Sequence, residues 1–408
     1  MNFAAHYFTR YKALPTFIEE APEEEVGIIV IIPCIDEDNL FHTLESLESA
    51  YMVQPKIEVI IHVNSGEETP QPVVEKNKRL FNYLLIRSKL DYYKNFKLHP
   101  ILTQGTVKKK AGVGFARKTA MDEAVRRFDA INKPDGLIVS LDADTLVSKD
   151  YFREITKALE HAKADCFTFQ FQHQSDRTVY PVKEINACRL YEIYLRYYRL
   201  ALKTFDFPFA IHTIGSCFAI RAEAYIKLGG MPPRQGGEDF YFLQKAVKMN
   251  PVYEVKEPIV FPSPRISDRV PFGTGPSVRK IIETGKFDVY SFKLFGLLKI
   301  FYESFPALAS EDIQKQIPTD ILKFIGDKQF DMILKECRRY SSSSEAFVKR
   351  MLDHFDSFFI VKFLNAFSNS CTYPPIDVMH AGQTILQYYG VTDIDNLYEQ
   401  IRFLDIRM

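Results

Sequence analysis

Two carboxylates stand two residues apart at Asp142 and Asp144, directly after the short apolar run Leu137–Leu141. Residues two apart on an extended strand point to one side, so both carboxylates can face one site if the chain stays extended. Such an oxygen pair suits Mg²⁺ or Mn²⁺, hard cations that take one or two carboxylates together with substrate phosphates. The same tripeptide also occurs as an ordinary surface turn, or as the start of a helix near Ser148–Asp150. A second carboxylate pair, Glu238-Asp239, follows Gly236-Gly237 where a helical pattern begins. A carboxylate there caps the helix and meets the positive end of its dipole; held at a fixed helix end, it also suits a general base. A third group combines Lys108–Lys110, Gly112, Gly114 and Arg117. Free N–H groups at such a helix start attract phosphate, while a solvated basic loop with flexible glycines would use the same residues.

These groups need a frame, and the flanking sequence predicts an α/β one. Val26–Pro33 is a β-branched run of the kind buried on both faces in a parallel sheet, and Ile57–Val63 is a second strand. Between them Leu40–Leu47 carries apolar residues at helical spacing, which completes a βαβ unit. Ligands of open α/β sheets bind outside the carboxyl ends of the strands, where the Asp142/Asp144 pair would sit. Further helices are expected over Val73–Tyr83, from Gly112 onward and over Lys149–His161. Cys166–Gln172 alternates Phe with polar residues, which predicts a strand with one face on the core and one lining a cleft. Glu184–Phe205 reads as a long helix bearing Tyr191, Tyr194, Tyr197 and Tyr198, aromatics that suit a core first and a substrate platform second. Thr213–Ile220 reads as a strand. From Ser277 the pattern is mostly helical, with loops at Ser341–Ser344 and Tyr373–Pro375 and no catalytic motif. The division predicted is therefore 1–276 and 277–408.

Bulk properties narrow the function classes. A chain of 408 residues is too long for one small core. Lys+Arg and Asp+Glu both number 52, so no global basic surface is available for nucleic acid or acidic lipid. Six scattered cysteines without a CxxC pair predict free, mostly buried thiols rather than disulfides or zinc. No run of 18 apolar residues and no signal-peptide pattern is present, so a cytoplasmic protein is expected, with peripheral membrane contact and a homo-oligomer left open.

Taken in order, five pieces over roughly residues 26–265 resemble the family 2 glycosyltransferases of GT-A type: Ile31–Glu37, Val63–Gly66, Gly114–Lys118, Asp142–Asp144, and Gly229–Pro232 followed by Gly237–Asp239. The resemblance implies a GT-A (Rossmann-like, nucleotide-sugar-binding) mixed sheet flanked by helices, with a C-terminal mostly helical unit. It implies transfer of a sugar from a nucleotide-diphosphate donor to a glycan or other hydroxyl acceptor, with inversion and with Mg²⁺ or Mn²⁺. By position, Pro33 with Asp36 or Glu37 would line the nucleoside pocket. Asn64-Ser65 stand where many relatives have an aspartate near the base and ribose. Arg117 matches the family's Ala-Arg-Asn arginine near the nucleotide, with Lys118 in place of Asn. Asp142 would face the ribose or the metal, Asp144 would coordinate the metal, and Asp239 of Glu238-Asp239 would be the base. Lys108–Lys110, Arg265 and Arg269 are further cations for the diphosphate, and Arg265–Gly275 would form a loop closing over the donor. The rival readings are a catalytically inactive GT-A-like binding or scaffolding protein in glycan assembly, and a nucleotidyltransferase. The latter usually has a longer Gly-rich signature after the first strand, which Pro33–Glu37 is not.

Overall fold

The computed structural model describes residues 2–11, 14–107, 111–161, 163–267, 273–311, 314–368, 370–392 and 395–408. The described chain groups into two compact units. The first holds residues 1–185 and 213–276, the second 186–212 and 277–408. A linear cut at 276/277 would leave 186–212 with the first part, whereas by contact those residues group with the C-terminal helices.

The first unit begins with helix α1 (Ala5–Tyr11), strand β1 (Val26–Cys34), α2 (Leu40–Glu48), β2 (Lys56–Gly66), α3 (Gln71–Lys89), β3 (Lys97–Thr106) and α4 (Val113–Ala130). It continues through β4 (Leu137–Ser140), β5 (Leu146–Val147), α5 (Tyr151–His161), β6 (Cys166–Phe171) and the start of α6 (Val182–Lys203). After the segment assigned to the second unit come β7 (Phe218–Arg221), α7 (Ala222–Lys227), α8 (Glu238–Met249) and β8 (Tyr253–Phe261). The strands form one mixed sheet in the order β3-β2-β1-β4-β7-β6-β8-β5. β1 runs parallel to both β2 and β4, and all nine of its residues are buried. That double cover is what its unbroken β-branched run demands, and α4 packs across β1 and β2 to supply it.

Two predicted elements differ, and one strand stands where none is predicted. The strand expected over Thr213–Ile220 is confined to Phe218–Arg221, because the chain before it turns and aims the Gly215 carbonyl at side chains. β6 shows no cleft-lining face. All six residues are buried, and Gln170 satisfies its amide by donating to Glu254 Oε1 at 2.8 Å. β3 lies in a stretch that gave no strand signal, and it is the edge of the sheet.

The second unit is helical apart from a two-stranded ladder of Asp288–Val289 with Ile376–Asp377. Tyr191, Tyr194, Tyr197 and Tyr198 pack among Phe287, Tyr290 and Phe295, as core aromatics do. Its C-terminal helix, Leu397–Arg407, carries the fully buried Asp405, which accepts from Arg196 Nη1 and Arg199 Nη1 at 2.7 Å and lies 2.8 Å from His212 Nε2. All six cysteines are free, and five are buried. No helix among the described residues is long and apolar enough to cross a membrane.

Candidate active site

The site grows from the carboxyl end of β4. Ser140 closes that strand, and Leu141 still donates its N–H to the Ile31 carbonyl of β1. The chain then turns, with Thr145 N–H bonding back to the Asp142 carbonyl at 3.1 Å. The condition for two parallel carboxylates, an extended chain, is therefore not met. Asp142 and Asp144 instead meet different guanidinium groups.

Asp142 Oδ1 accepts from Arg117 Nη2 at 2.9 Å. Arg117 stands on α4 with its side chain 2% exposed, and each arm of its guanidinium has a partner. Nε donates to Glu238 Oε1 at 3.2 Å, while Nη1 donates to the Gly215 carbonyl at 3.0 Å and to Ser140 Oγ. Burial opposes the charge on this group, but Asp142, Glu238 and Asp239 more than offset it and raise its pKa. Glycine at 215 is a steric requirement. A Cβ there would lie 2.5 Å from Arg117 Nη2 and 3.3 Å from Asp239 Oδ2.

Glu238 and Asp239 open α8, as the sequence predicts. Glu238 is buried against Arg117, and Asp239 is partly exposed. The Phe240 N–H donates to Asp239 Oδ1 at 2.7 Å. Even so, burial and the neighbouring Glu238 push the Asp239 carboxyl up to about 7, with Arg117 pulling the other way. An acid tuned to that range is suited to proton transfer at neutral pH.

Asp144 belongs to a second group. Arg265 donates from Nε to Asp144 Oδ2 at 3.0 Å, and its Nη2 also bonds Glu37 Oε2. Glu37 is buried, and its other oxygen receives the Asn39 N–H at 2.9 Å. The Asp144 carbonyl accepts from Gln174 Nε2 at 3.0 Å, and Tyr180 donates to Gln174 Oε1 at 3.0 Å. A third group joins the ends of β1 and β2. The buried Asn77 of α3 accepts from the Asp36 N–H and donates to the Asn64 carbonyl, both at 3.0 Å. The Asp36 carboxylate pairs with Lys76 at 2.8 Å, and Ser65 Oγ is buried without a hydrogen-bond partner among the described residues. Pro33 lies within β1, in register with His62 of β2.

Two predicted elements of the site are placed otherwise. Gly114, in the first turn of α4, is buried and does not hold its N–H open to an anion. Gly114 N–H bonds the Arg234 carbonyl at 3.1 Å, and a Cβ on Gly114 would meet that same oxygen at 2.4 Å. The glycines let the two backbones touch, which fixes the loop that leads into Glu238. Lys118 turns away to Tyr7 and Asp122, at 2.8 and 2.9 Å. Lys108–Lys110, Arg269 and the rest of 268–272 in the expected closing loop lie outside the described residues. Ser140, Gly215, Asn77 and Gln174 gave no sequence signal, since small and amide residues become informative only when buried at a site.

Among the described residues no group of three or more His, Cys, Asp or Glu side chains could hold a metal ion. The protein's own offer is therefore Asp142 and Asp144, whose side chains are 37% and 24% exposed. Each is a hard oxygen donor of the kind a Mg²⁺-type cation takes singly or in pairs beside substrate phosphates, and each is paired with its own arginine.

Residues 107–250 match the family model described as "Glycosyltransferase like family 2". That stretch is of glycosyltransferase type. It carries Arg117, Asp142, Asp144, Glu238 and Asp239 together. The chain is also distantly similar in structure to TarS (residues 1–349) of S. aureus, at 12% identity and a TM-score of 0.39, covering 81% of this chain and 91% of that one. The same S. aureus protein in complex with UDP-GlcNAc aligns at 13% identity and a TM-score of 0.39, with 94% and 89% covered. The mannosyltransferase PcManGT of Pyrobaculum calidifontis, in complex with GDP-Man and Mn²⁺, aligns at 14% identity and a TM-score of 0.34, with 100% and 93% covered. Comparison with curated proteins gives no match.

Proposed function

We propose that this glycosyltransferase-type chain moves a sugar from a nucleotide-diphosphate donor to an acceptor hydroxyl, in a single displacement that inverts the anomeric centre. The observation that carries the reading is Arg117. It binds Asp142 at the end of β4 and Glu238 at the start of α8, inside the matched stretch, and beside a carboxyl whose pKa is raised.

In this reading the ends of β1 and β2, with Pro33, Asp36, Asn64 and Ser65, form the wall for the nucleoside, braced by Asn77. The acceptor hydroxyl attacks the anomeric carbon, its proton passes to Asp239, and the bond to the diphosphate breaks with its electron pair leaving on oxygen. Asp239 can accept that proton near neutrality because burial and Glu238 raise its affinity for it, while Arg117 holds Glu238 in place. Asp142 and Asp144 would hold a divalent cation against the diphosphate; when bound, it neutralises charge developing on the leaving group. Only one carboxylate base is needed, which agrees with Glu238 being committed to Arg117 rather than available as a nucleophile.

The test is thermal shift against a panel of nucleoside diphosphates and nucleotide sugars with and without Mn²⁺, followed by product detection with the donor that stabilises. A ligand that binds only the folded state raises its stability by mass action. Stabilisation by one nucleotide, dependent on Mn²⁺ and lost in Asp144→Ala, is expected. A flat response to every nucleotide would displace this reading in favour of a binding or scaffolding protein.

A further inference from the structure

Two guanidinium groups neutralise the aspartate pair, and they differ in kind. Arg117 is 2% exposed and fixed by Glu238, Ser140, Gly215 and Asp142. Arg265 is 22% exposed and spans Asp144, which is 24% exposed, and Glu37, which is 1% exposed. Glu37 is itself held by the Asn39 N–H, and the Arg265 N–H bonds Ser263 Oγ at 3.3 Å, so the backbone end and the buried end of Arg265 are both anchored. Of its two carboxylate partners, Asp144 is the more exposed.

We propose that Arg265 is a placeholder cation for Asp144: it occupies this carboxylate while no donor is bound, and gives it up when a diphosphate offers its guanidinium a new partner. The inference rests on the donor reading above and adds to it a coupling between metal and nucleotide. Arg265 places two nitrogens at 2.9 and 3.0 Å from Asp144 Oδ2, where they compete with any cation for that oxygen. A guanidinium and a divalent cation cannot share one oxygen closely without strong repulsion. A planar guanidinium matches phosphate oxygens as well as carboxylate oxygens, so a diphosphate can take the solvent-facing nitrogens while Glu37 retains the buried side. Asp144 is then released to the metal. Each ligand thus removes an obstacle to the other, and their binding energies become linked.

The experiment measures free Mn²⁺ by electron paramagnetic resonance in titrations of the wild type, Arg265→Ala and Arg265→Gln. Each protein is titrated alone and with the nucleoside diphosphate (UDP or GDP) that stabilises the wild type. For the wild type we expect weak Mn²⁺ binding alone, tightened about 10-fold or more by nucleotide. Both variants should bind Mn²⁺ alone about 5-fold tighter than the wild type, and should lose most of the nucleotide-dependent gain. Folded variants whose Mn²⁺ affinity without nucleotide is equal to or weaker than the wild type's would overturn the proposal, as would a complete lack of Mn²⁺ binding in all three proteins. A merely structural arginine would weaken Mn²⁺ binding on removal, the opposite sign. If neither nucleotide stabilises the wild type, the donor reading fails on its own, while the Mn²⁺ titrations without nucleotide still decide whether Arg265 competes for Asp144.

Discussion

Arg117 Nε meets Glu238 Oε1 at 3.2 Å, a contact between residues 121 positions apart that ties the helix behind β1 and β2 to the helix end bearing Asp239. Because Glu238 is buried, removing Arg117 leaves its charge uncompensated, whereas Arg117 without Glu238 would still have Asp142. Arg117→Met should cost about 3 kcal/mol or more, the usual penalty for breaking a buried pair from one side. Arg117→Lys should recover part of the stability but not the activity, since an ammonium cannot reproduce the guanidinium fork. Urea denaturation alongside turnover of the selected nucleotide sugar reads both; full activity in the Lys variant would remove Arg117 from the site.

Asp239→Asn should reduce transfer by about 10³-fold, within the range a positioned base contributes, while the fold and nucleotide binding persist. Asn keeps the shape and removes a group crowded by Glu238, so stability at pH 8 should not fall. Transfer comparable to wild type would reassign the base.

The raised Asp239 carboxyl gives two pH signatures of opposite direction. As a base it must be ionised, so turnover in the wild type should rise as pH increases through about 7, and the residual rate of the Asn variant should lack that limb. Stability runs the other way. The folded state holds this proton more tightly than the unfolded chain, whose aspartate titrates near about 4. The stabilising contribution is therefore complete below about 4 and is lost as pH rises towards about 7. Urea midpoints of wild type and Asp239→Asn in metal-free buffer should diverge across that window.

Gly215→Ala tests whether the site tolerates one extra carbon. Its Cβ would lie 2.5 Å from Arg117 Nη2, so the guanidinium must shift off Asp142 or the loop must move. A stability loss of about 1–3 kcal/mol, as for overpacking, should accompany a larger fractional loss of transfer. A neutral outcome in both assays would mean that the loop yields freely.

In the second unit, Asp405→Ala leaves the buried Arg196 and Arg199 without their shared carboxylate and should cost about 3–5 kcal/mol. The arginines and His212 outweigh burial and hold Asp405 well below the usual carboxylate range. The stability it contributes is thus fully present above about 4, where unfolded aspartate ionises, and is lost only in stronger acid. The gap between thermal melts of the wild type and the Ala variant should stay constant from pH 8 down to about 4 and begin to narrow only towards about pH 3.

Much of this architecture can be read from the chain where burial leaves a mark. Val26–Cys34 and Lys56–Gly66 are apolar runs because central parallel strands are covered on both faces, and the pairs Asp142/Asp144 and Glu238/Asp239 lie at the element ends their context predicts. β3 is hidden because an edge strand needs no such run, and Lys97, His99, Pro100 and Gln104 interrupt its pattern. Gly112 and Gly114 speak of flexibility or anion binding in isolation; only the approach of Arg234 reveals a packing demand. The division of labour between Arg117 and Arg265 is likewise invisible, since it depends on which guanidinium is buried.

The sheet's change of direction at β4 carries a consequence for engineering the chain. β7 runs antiparallel to β4, with Ser140 opposite Phe218 and Leu137 opposite Arg221, so the loop entering β7 arrives at the same rim as Asp142. Loops at the far rim, such as the Asn132–Gly136 turn into β4, lie at the other end of that strand pair. Inserted residues, reporter groups or cut-and-join sites should therefore affect catalysis less when grafted at Asn132–Lys133 than when grafted at 213–217. The two ends of one four-residue strand would then separate tolerance of added sequence from sensitivity to it.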